Sequence, residues 1–459
     1  MLENLQHLIL TVTRDCNLNC QYCFEQDKQL YAQEKMSLAV FKRFMEKLLI
    51  DRKKYRQTNP VEICFHGGEP TLGGIPLLQT FIDEAQQQLG ADKVIWAMQT
   101  NGTLLNEEWQ HFAKKNKVKI SVSLDGYNYG QNRLRFKKNA FKNYFRRMLA
   151  VKPVGALALL TKNNLSNMVF HIWFMYFKFK IGVRVNPAEF VDGPAVNPQE
   201  ISGQQLARKF YLPLLRWSAL FPCLAEHLLR GFLQSFFLET IYTKMTQNNE
   251  TDLACRLCSA KFCSAGNGII NLLPNGALWA CQRSQGLEDY RMGSVFESAI
   301  DPFGLKHFNK LYALALPQAR TIRELRCDVC FAADICNYGC KAFGLLKTQG
   351  RATIRKELVC EAAQIVREYF SRNIYDMLFV YARLSDFSIR AARSRVKIYL
   401  PQKLNYDAVR YELKNINDHN ISIAQDKEDN VYIAFSRKNL SLGNRLILSA
   451  QNFIQKGKK

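Results

Sequence analysis

Apolar and polar positions alternate in short runs along the first 190 or so residues, and the period switches repeatedly between the strand and helix values. His7 to Thr13 (HLILTVT) predicts a strand that runs into a cysteine loop. Leu38 to Leu49 predicts an amphipathic helix, Val61 to Phe65 (VEICF) a strand, and Leu77 to Leu89 a helix with Pro76 suited to its first position. Val94 to Met98, Val118 to Leu124, Gly155 to Leu160 and Val183 to Val185 predict further strands. Strands alternating with helices imply βα units and a parallel sheet. Ligands of such sheets bind beyond the carboxyl ends of the strands. His66-Gly67-Gly68, Thr100-Asn101-Gly102 and Asp125-Gly126 all fall at such ends. The expected class is α/β, a partial or full βα barrel.

Beyond residue 200 the pattern changes. Residues 200–250 read as helical and basic-aromatic, and 255–360 as cysteine-rich with little regular periodicity. Glu361 to Asn373 predicts a helix. Val396 to Leu400 predicts a strand, Tyr406 to Ile416 a helix, Ile421 to Phe435 a hairpin turning at Lys427–Asn430, and Arg445 to Ile454 a helix. This last β-α-β-β-α unit has no cysteine.

The 459 residues suit two to three domains, and 47% hydrophobic residues support a sizeable core and exclude global disorder. No apolar run reaches the roughly 18–20 residues of a membrane span. The most apolar stretch, Phe170 to Phe179, is broken by His171 and Lys178. The expected location is cytoplasmic. The net charge of +23 suits an acidic partner, but it is spread along the chain without a long basic block, and a basic solvated surface explains it equally well.

Fourteen cysteines are too many for disulfides in a reducing compartment, and they are grouped. Three lie at 16–23 and nine at 255–360; Cys64 and Cys223 are isolated and read as small buried apolar side chains. The run CNLNCQYC places Cys16, Cys20 and Cys23 in a C-x3-C-x2-C spacing, with aromatic Tyr22 before the third. Three thiolates can ligate three irons of a [4Fe–4S] cube and leave the fourth open, whereas most clusters have four cysteines and only move electrons. A zinc site wants four ligands, and no nearby His completes the set; His7 lies within an apolar strand.

In this loop, in His66-Gly67-Gly68-Glu69-Pro70, in Gln99-Thr100-Asn101-Gly102 and in Ser123-Leu124-Asp125-Gly126, the chain resembles radical SAM enzymes, which use S-adenosylmethionine (SAM). The resemblance spans roughly residues 5–370 and implies a TIM-like partial (βα)6 barrel. It implies that the three-cysteine cluster binds SAM at its open iron, that Gly67, Gly68 and Glu69 hold the SAM amino group, and that Asn101, Ser123 and Asp125 contact SAM. Arg135 falls where relatives carry an arginine for the SAM carboxylate; a solvated surface charge is the other reading. The implied activity is reductive cleavage of SAM, with the 5′-deoxyadenosyl radical abstracting hydrogen from a substrate.

The second group reads Cys263-x12-Gly276-x4-Cys281, then Cys327-x2-Cys330-x5-Cys336-x3-Cys340, then Cys360. It resembles the SPASM domain of radical SAM maturases, which carries two auxiliary [4Fe–4S] clusters, for three in all. The resemblance assigns Cys327, Cys330, Cys336 and Cys360 to the outer cluster. It assigns Cys263, Cys281, Cys340 and an upstream cysteine, Cys258 in preference to Cys255, to the inner one. A structural zinc domain is the alternative. The expected division is a radical SAM domain at 1–240, a SPASM domain at 250–375 and a small α+β extension at 376–459.

The motifs GGEPTL, QTNGTLL and SLDG are similar to those of anaerobic sulfatase-maturating enzymes, which oxidise Ser or Cys to formylglycine. Those enzymes carry an acidic general base directly after the second cysteine of C-x12-G-x4-C. Here that position is Gln282, and an amide takes up no proton near neutral pH. Glu25 replaces their tyrosine and His66 their glutamine. Glu288 and Asp289 read as solvated loop charges, so no general base is assigned. The expected substrate is therefore a ribosomally made precursor peptide, with a crosslink the first expectation among thioether, carbon–carbon or carbon–oxygen links and epimerisation. Formylglycine formation, or radical modification of RNA or a small molecule, is the alternative; no RNP-type RNA-binding motif is visible. The expected electron donor is a flavodoxin or ferredoxin-type protein. The unit at 376–459, with Arg390, Arg393, Arg395, Lys397 and Lys403, reads either as a docking module for a leader peptide or as a packing extension.

Overall fold

Six strands follow one another in the order the periodicity predicts, with helices between them. The computed structural model describes residues 2, 5–23, 34–188, 200–220, 265–266, 268–285, 290–297, 358–373, 375–376, 379, 389–391, 394–399, 422–426, 431–440 and 445. The elements are β1 (His7–Thr13), α1 (Leu38–Lys54), β2 (Val61–Gly67), α2 (Ile75–Leu89), β3 (Val94–Thr100), α3 (Glu107–Asn116), β4 (Lys119–Ser123), a one-turn α4 (Tyr129–Asn132), α5 (Lys138–Val151), β5 (Gly155–Leu160), α6 (Met168–Phe179) and β6 (Gly182–Pro187). The apolar stretch at Phe170 to Phe179 belongs to α6. Helices α3, α4, α5 and α6 are additions to the expected set; α3 buries only Trp109 and Phe112.

Strands β1 to β6 pair in sequence order and all in parallel. β2 buries every second residue along its whole length, which fits a sheet with one face against helices and the other toward a barrel interior. The helices are set by local caps: Ser37 accepts from Val40 N–H at the start of α1, and Asn106 from Trp109 N–H at the start of α3. Phe41 of α1 and Phe81 of α2 meet with ring centroids 5.0 Å apart over the sheet. Beyond the other side of β1 the same sheet continues through β7 (Ile269–Leu272), β8 (Ala277–Trp279) and β9 (Arg291–Ser294), in the order β6-β5-β4-β3-β2-β1-β7-β8-β9. β7 runs parallel to β1, and Thr11 Oγ1 donates to Asn271 Oδ1 at 3.0 Å across that pair. β7, β8 and β9 are antiparallel to one another.

The chain's contacts divide it into two compact units. One holds Met1–Glu200, Phe262–Ala333 and Asn337–Arg355, and with it the nine-stranded sheet; the other holds Ile201–Lys261, Asp334–Cys336 and Lys356–Lys459. The second unit contains α7 (Gly203–Leu206), a π-helical stretch Ala207–Tyr211, α8 (Leu212–Leu220), α9 (Leu358–Arg372) and strands β10 (Ile389–Ala391), β11 (Arg395–Tyr399), β12 (Ser422–Gln425) and β13 (Val431–Ser436). The four strands form an antiparallel sheet in the order β10-β11-β13-β12. The expected helix at 361–373, strand at 396–400 and hairpin at 421–435 are all present, and β10 is an addition. The expected helix at 406–416 and the hairpin turn lie outside the described residues, as does the expected helix at 445–454 apart from Arg445. No helix among the described residues is long and apolar enough to cross a membrane.

Candidate functional site

The turn after β2 is stitched to the chain that enters the cysteine loop. Gly68 N–H donates to Thr13 O at 2.9 Å and Glu69 N–H to Asp15 O at 2.8 Å. This approach requires two glycines. Gly67 has φ +128°, and a Cβ there would lie 2.1 Å from Thr13 O; a Cβ on Gly68 would lie 2.3 Å from Asp15 O and 2.5 Å from Arg14 O. The glycines of the GGEP segment therefore serve the approach of the protein's own backbone.

Glu69 is fully buried, and burial raises its carboxyl pKa, opposed by hydrogen bonds from Thr100, Thr71 and the Asn101 and Thr71 backbone. Oε1 accepts from Thr71 N at 3.1 Å, Thr71 Oγ1 at 2.5 Å and Thr100 Oγ1 at 2.6 Å; Oε2 accepts from Asn101 N at 2.6 Å. The carboxylate is thus a staple between the turn after β2 and the end of β3. Oε2, with one protein donor, keeps a lone pair for an ammonium. Asn101 extends the staple to the cysteine loop: Nδ2 donates to Asn17 Oδ1 at 2.8 Å and lies 3.7 Å from Cys16 Sγ. Leu18 N–H also approaches Cys16 Sγ, at 3.5 Å.

At the end of β4, Ser123 Oγ accepts from Gln99 Nε2 at 3.0 Å, and the Ser123 carbonyl accepts from Tyr144 OH at 3.0 Å. Asp125, two residues on, is buried and accepts from Tyr22 OH and from Leu159 N at 3.0 Å. Arg135 is no surface charge. Its side chain is 9% exposed, with Nε 3.4 Å from Asp125 Oδ2 and Nη2 3.4 Å from Oδ1. Its guanidinium carbon lies 5.4 Å from the Tyr22 ring centroid, and Nη1 is 3.9 Å from Cys20 Sγ. Burial works to lower the Arg135 pKa, but Asp125, Tyr22 and Cys20 more than offset it and hold the cation charged. Asn132 and Asn164, which no motif marks, fix the loop: Asn132 Oδ1 accepts from Asp125 N at 2.9 Å, and Asn164 Nδ2 donates to Asp125 O at 2.9 Å.

His66 and Gln282, two positions where the chain departs from the sulfatase-maturase pattern, meet. Gln282 begins a short 3-10 turn, Gln282–Ser284, that follows β8 directly after Cys281. Its Nε2 lies 2.8 Å from His66 Nδ1, which also accepts from Gly67 N–H at 2.8 Å. Two donors on Nδ1 leave the ring proton on Nε2. Burial lowers the His66 pKa to about 4, so the ring is neutral near pH 7. The pair offers an N–H and a carbonyl, and the imidazole's one lone pair, on Nδ1, is already engaged by two donors.

The donor set around the three cysteines fits an iron–sulfur cube. Cys20 packs against Tyr22, Leu134 and Ala188, with Leu18, Cys23 and Leu159 around them. Burial pushes the Cys20 thiol up to about 11, against the pull of Arg135. A bare thiolate is costly in such a place; a coordinated thiol is deprotonated by its metal, and N–H groups aimed at sulfur stabilise the added charge. Among the described residues no three His, Cys, Asp or Glu side chains converge on a single ion. A cube distributes its ligands over separate irons, so convergence on one point is not what it requires.

Of the second group, Cys281 is described and half-buried. Cys255, Cys258, Cys263, Cys327, Cys330, Cys336 and Cys340 lie outside the described residues, as do Glu25, Glu288 and Asp289; Cys360 lies in the first turn of α9, its side chain outside them. The central glycine of C-x12-G-x4-C has a local reason. Gly276 turns the β7–β8 hairpin with φ +83°, and a Cβ there would lie 2.7 Å from the Phe296 ring.

The Radical SAM superfamily profile matches residues 10–169. A cysteine-type anaerobic sulfatase-maturating enzyme of Clostridium novyi (strain NT) is 26% identical over 348 residues, 74% of this chain and 88% of that protein. The solved structure of native anSMEcpe with bound AdoMet and Cp18Cys peptide shares the fold with a TM-score of 0.62 at 17% identity, covering 83% of this chain and 99% of that one. That of Streptococcus suis SuiB bound to precursor peptide SuiA gives a TM-score of 0.52 at 15% identity, covering 78% and 76%. With the parallel sheet and the three-cysteine loop at its carboxyl edge, the profile match shows that residues 10–169 carry a radical SAM domain, and the chain is homologous to the anaerobic sulfatase-maturating enzymes.

Proposed function

We propose that this enzyme is a maturase of a ribosomally made precursor peptide, and that its product is a crosslink rather than formylglycine. The His66–Gln282 contact carries the reading, because a neutral amide stands where formylglycine formation needs a proton acceptor. Peptides in the related structures of anSMEcpe and SuiB support a peptide substrate.

Radical SAM enzymes use SAM and a [4Fe–4S] cluster, which together supply one-electron chemistry ending in hydrogen abstraction. In this reading Cys16, Cys20 and Cys23 hold the cluster. Gly67, Gly68, Glu69, Asn101, Ser123, Asp125 and Arg135 form the SAM-binding wall. Glu69 Oε2 and the Gly67–Gly68 backbone receive the ammonium. Arg135, held charged by Asp125, faces the carboxylate and steadies Cys20. Two auxiliary clusters rest on Cys258, Cys263, Cys281 and Cys340, and on Cys327, Cys330, Cys336 and Cys360. A flavodoxin or ferredoxin-type protein supplies the electron, in the cytoplasm. The radical SAM domain takes in residues 1–240, the auxiliary-cluster domain 250–375, and the extension 376–459.

Anaerobic reconstitution tests the cofactors: three cubes predict about 12 irons per chain. Co-expression with a short open reading frame beside the gene, followed by peptide mass spectrometry, tests the chemistry. A loss of two hydrogens in a peptide that forms no hydrazone supports a crosslink, since oxidation of Ser to formylglycine also removes two hydrogens but leaves a reactive aldehyde. Formylglycine at a Ser or Cys would replace this reading with sulfatase maturation.

A further inference from the structure

The register of the second unit's sheet sorts its side chains onto two unlike faces. Arg390 pairs with Lys397, Lys397 with Ala434, Tyr399 with Tyr432, and Arg395 with Ser436. Opposed residues of antiparallel strands share a face, and every second residue returns to it. Arg390, Arg395, Lys397, Tyr399 and Tyr432 therefore stand together. The opposite face carries Val396, Ile398, Ile433 and Phe435, each buried to 2% exposure or less, with Tyr375 packed on Phe435 at 5.3 Å. That apolar face is the core side.

The basic-aromatic face is open: Arg390 and Arg395 are exposed, and Lys397, Tyr399 and Tyr432 half-buried. The Arg390 guanidinium carbon lies 4.6 Å from the Tyr399 ring centroid, the Lys397 Nζ 4.1 Å from that of Tyr432, and the two rings 5.4 Å apart. Cation–π contacts orient these charges without neutralising them. Among the described residues no carboxylate pairs with Arg390, Arg395 or Lys397. The wet face of an antiparallel sheet normally mixes polar types; among the described residues of its strands this one has cations, aromatics and small residues, and no acid.

We propose that this face docks an acidic segment of the peptide substrate. That the partner belongs to the substrate rests on the peptide-maturase reading above; that it is anionic and extended rests on the face itself. Arg395 and Lys397 lie two residues apart on one strand, about 6.6–6.8 Å, the spacing of alternate side chains in an extended peptide. Arg390 and Lys397 sit on neighbouring strands about 4.8 Å apart. Ammonium and guanidinium groups so placed match carboxylates at every second position of a strand-like segment. Single-stranded nucleic acid draws its affinity largely from bases stacked on open aromatic faces, and here the rings are already engaged by the two cations and by each other.

The test uses the full-length reconstituted enzyme, a fluorescein-labelled peptide of alternating Glu and Ser, and a labelled oligouridylate of equal length, followed by fluorescence anisotropy at fixed salt. Arg390→Gln/Lys397→Gln is expected to weaken peptide binding about tenfold. Lys114→Gln/Lys115→Gln on exposed α3 removes the same charge from the other unit and is expected to change it less than about twofold. Equal losses in both pairs, no loss in the sheet pair, or an oligouridylate that binds more tightly than the peptide through the same two side chains would overturn the proposal. Should circular dichroism show the double variant misfolded, Arg395→Gln replaces it, with a loss of about threefold expected and no loss overturning the proposal. SAM cleavage is measured separately in every variant. Failure of the wild type to cleave SAM would overturn the enzyme reading, whereas failure of docking with SAM cleavage intact overturns only this inference.

Discussion

The side-chain amide of Gln282 donates to Nδ1 of His66 at 2.8 Å, joining the turn after β8 to the end of β2. The contact holds two neutral groups at the carboxyl edge of the sheet, next to the turn that braces the cysteine loop. Gln282→Ala is expected to leave 5′-deoxyadenosine formation within about twofold of wild type and to cut modified peptide about tenfold or more. Chromatography of 5′-deoxyadenosine alongside peptide mass spectrometry checks this. A parallel loss of both products would show that the pair serves SAM rather than the peptide.

Gly68→Ala places a Cβ 2.3 Å from Asp15 O, closer than any carbon and oxygen can pack, so the cysteine loop must move. Iron incorporation on reconstitution is expected to fall well below that of wild type while far-UV circular dichroism stays close to it. Full iron content in the variant would show that the loop tolerates the shift.

Removing the Glu69 carboxylate strands four buried donors at once. Glu69→Ala is expected to cost about 3–5 kcal/mol, since each orphaned buried group costs about 1–3 kcal/mol and part is recovered by relaxation. Urea denaturation of the apo-protein measures it. A cost below about 1 kcal/mol would mean that the two strand ends are not held by this residue.

Asp125→Asn leaves Arg135 as a buried cation with no charged partner, and a loss of about 3–5 kcal/mol is expected. Tyr22→Phe removes only a hydroxyl from the same carboxylate, for about 1 kcal/mol. Denaturant midpoints should rank the two in that order.

Two buried histidines make stability pH-dependent. Burial lowers His66 to about 4 and His171 to about 3, from an ordinary 6.5. Between those values and 6.5 the unfolded chain binds more protons than the native one, so stability is full above about pH 6.5 and falls as pH drops. His171→Phe removes one share of this. Its thermal midpoint is expected to fall less than that of wild type between pH 7 and pH 5. Identical falls would place the loss elsewhere.

The strand order and the motifs' places were legible because β2, β3 and β4 each bury alternate residues and each run into a glycine-bearing turn. β2 and β3 run two residues further than the apolar pattern, since His66, Gly67, Gln99 and Thr100 are polar or small yet continue the ladder. α3 (EEWQHFAKKN) has no legible period, because two apolar anchors, Trp109 and Phe112, are too few to set one. No sequence signal pointed to Asn132 or Asn164, whose side chains bond the backbone of the Asp125 loop from 7 and 39 positions away.

By itself, the sequence determined the class of chemistry and the strand frame: three thiols in one loop, motifs at strand ends, and helices between. These are local properties, carried by spacing over a few residues. The tertiary structure alone decided which groups meet. It paired β7 with β1, buried Arg135 against Asp125, made Glu69 a staple, and brought Gln282 to His66 across 216 positions. Such partners are chosen by the need of each buried charge, donor and strand edge to find a complement, and that need is met in space rather than along the chain.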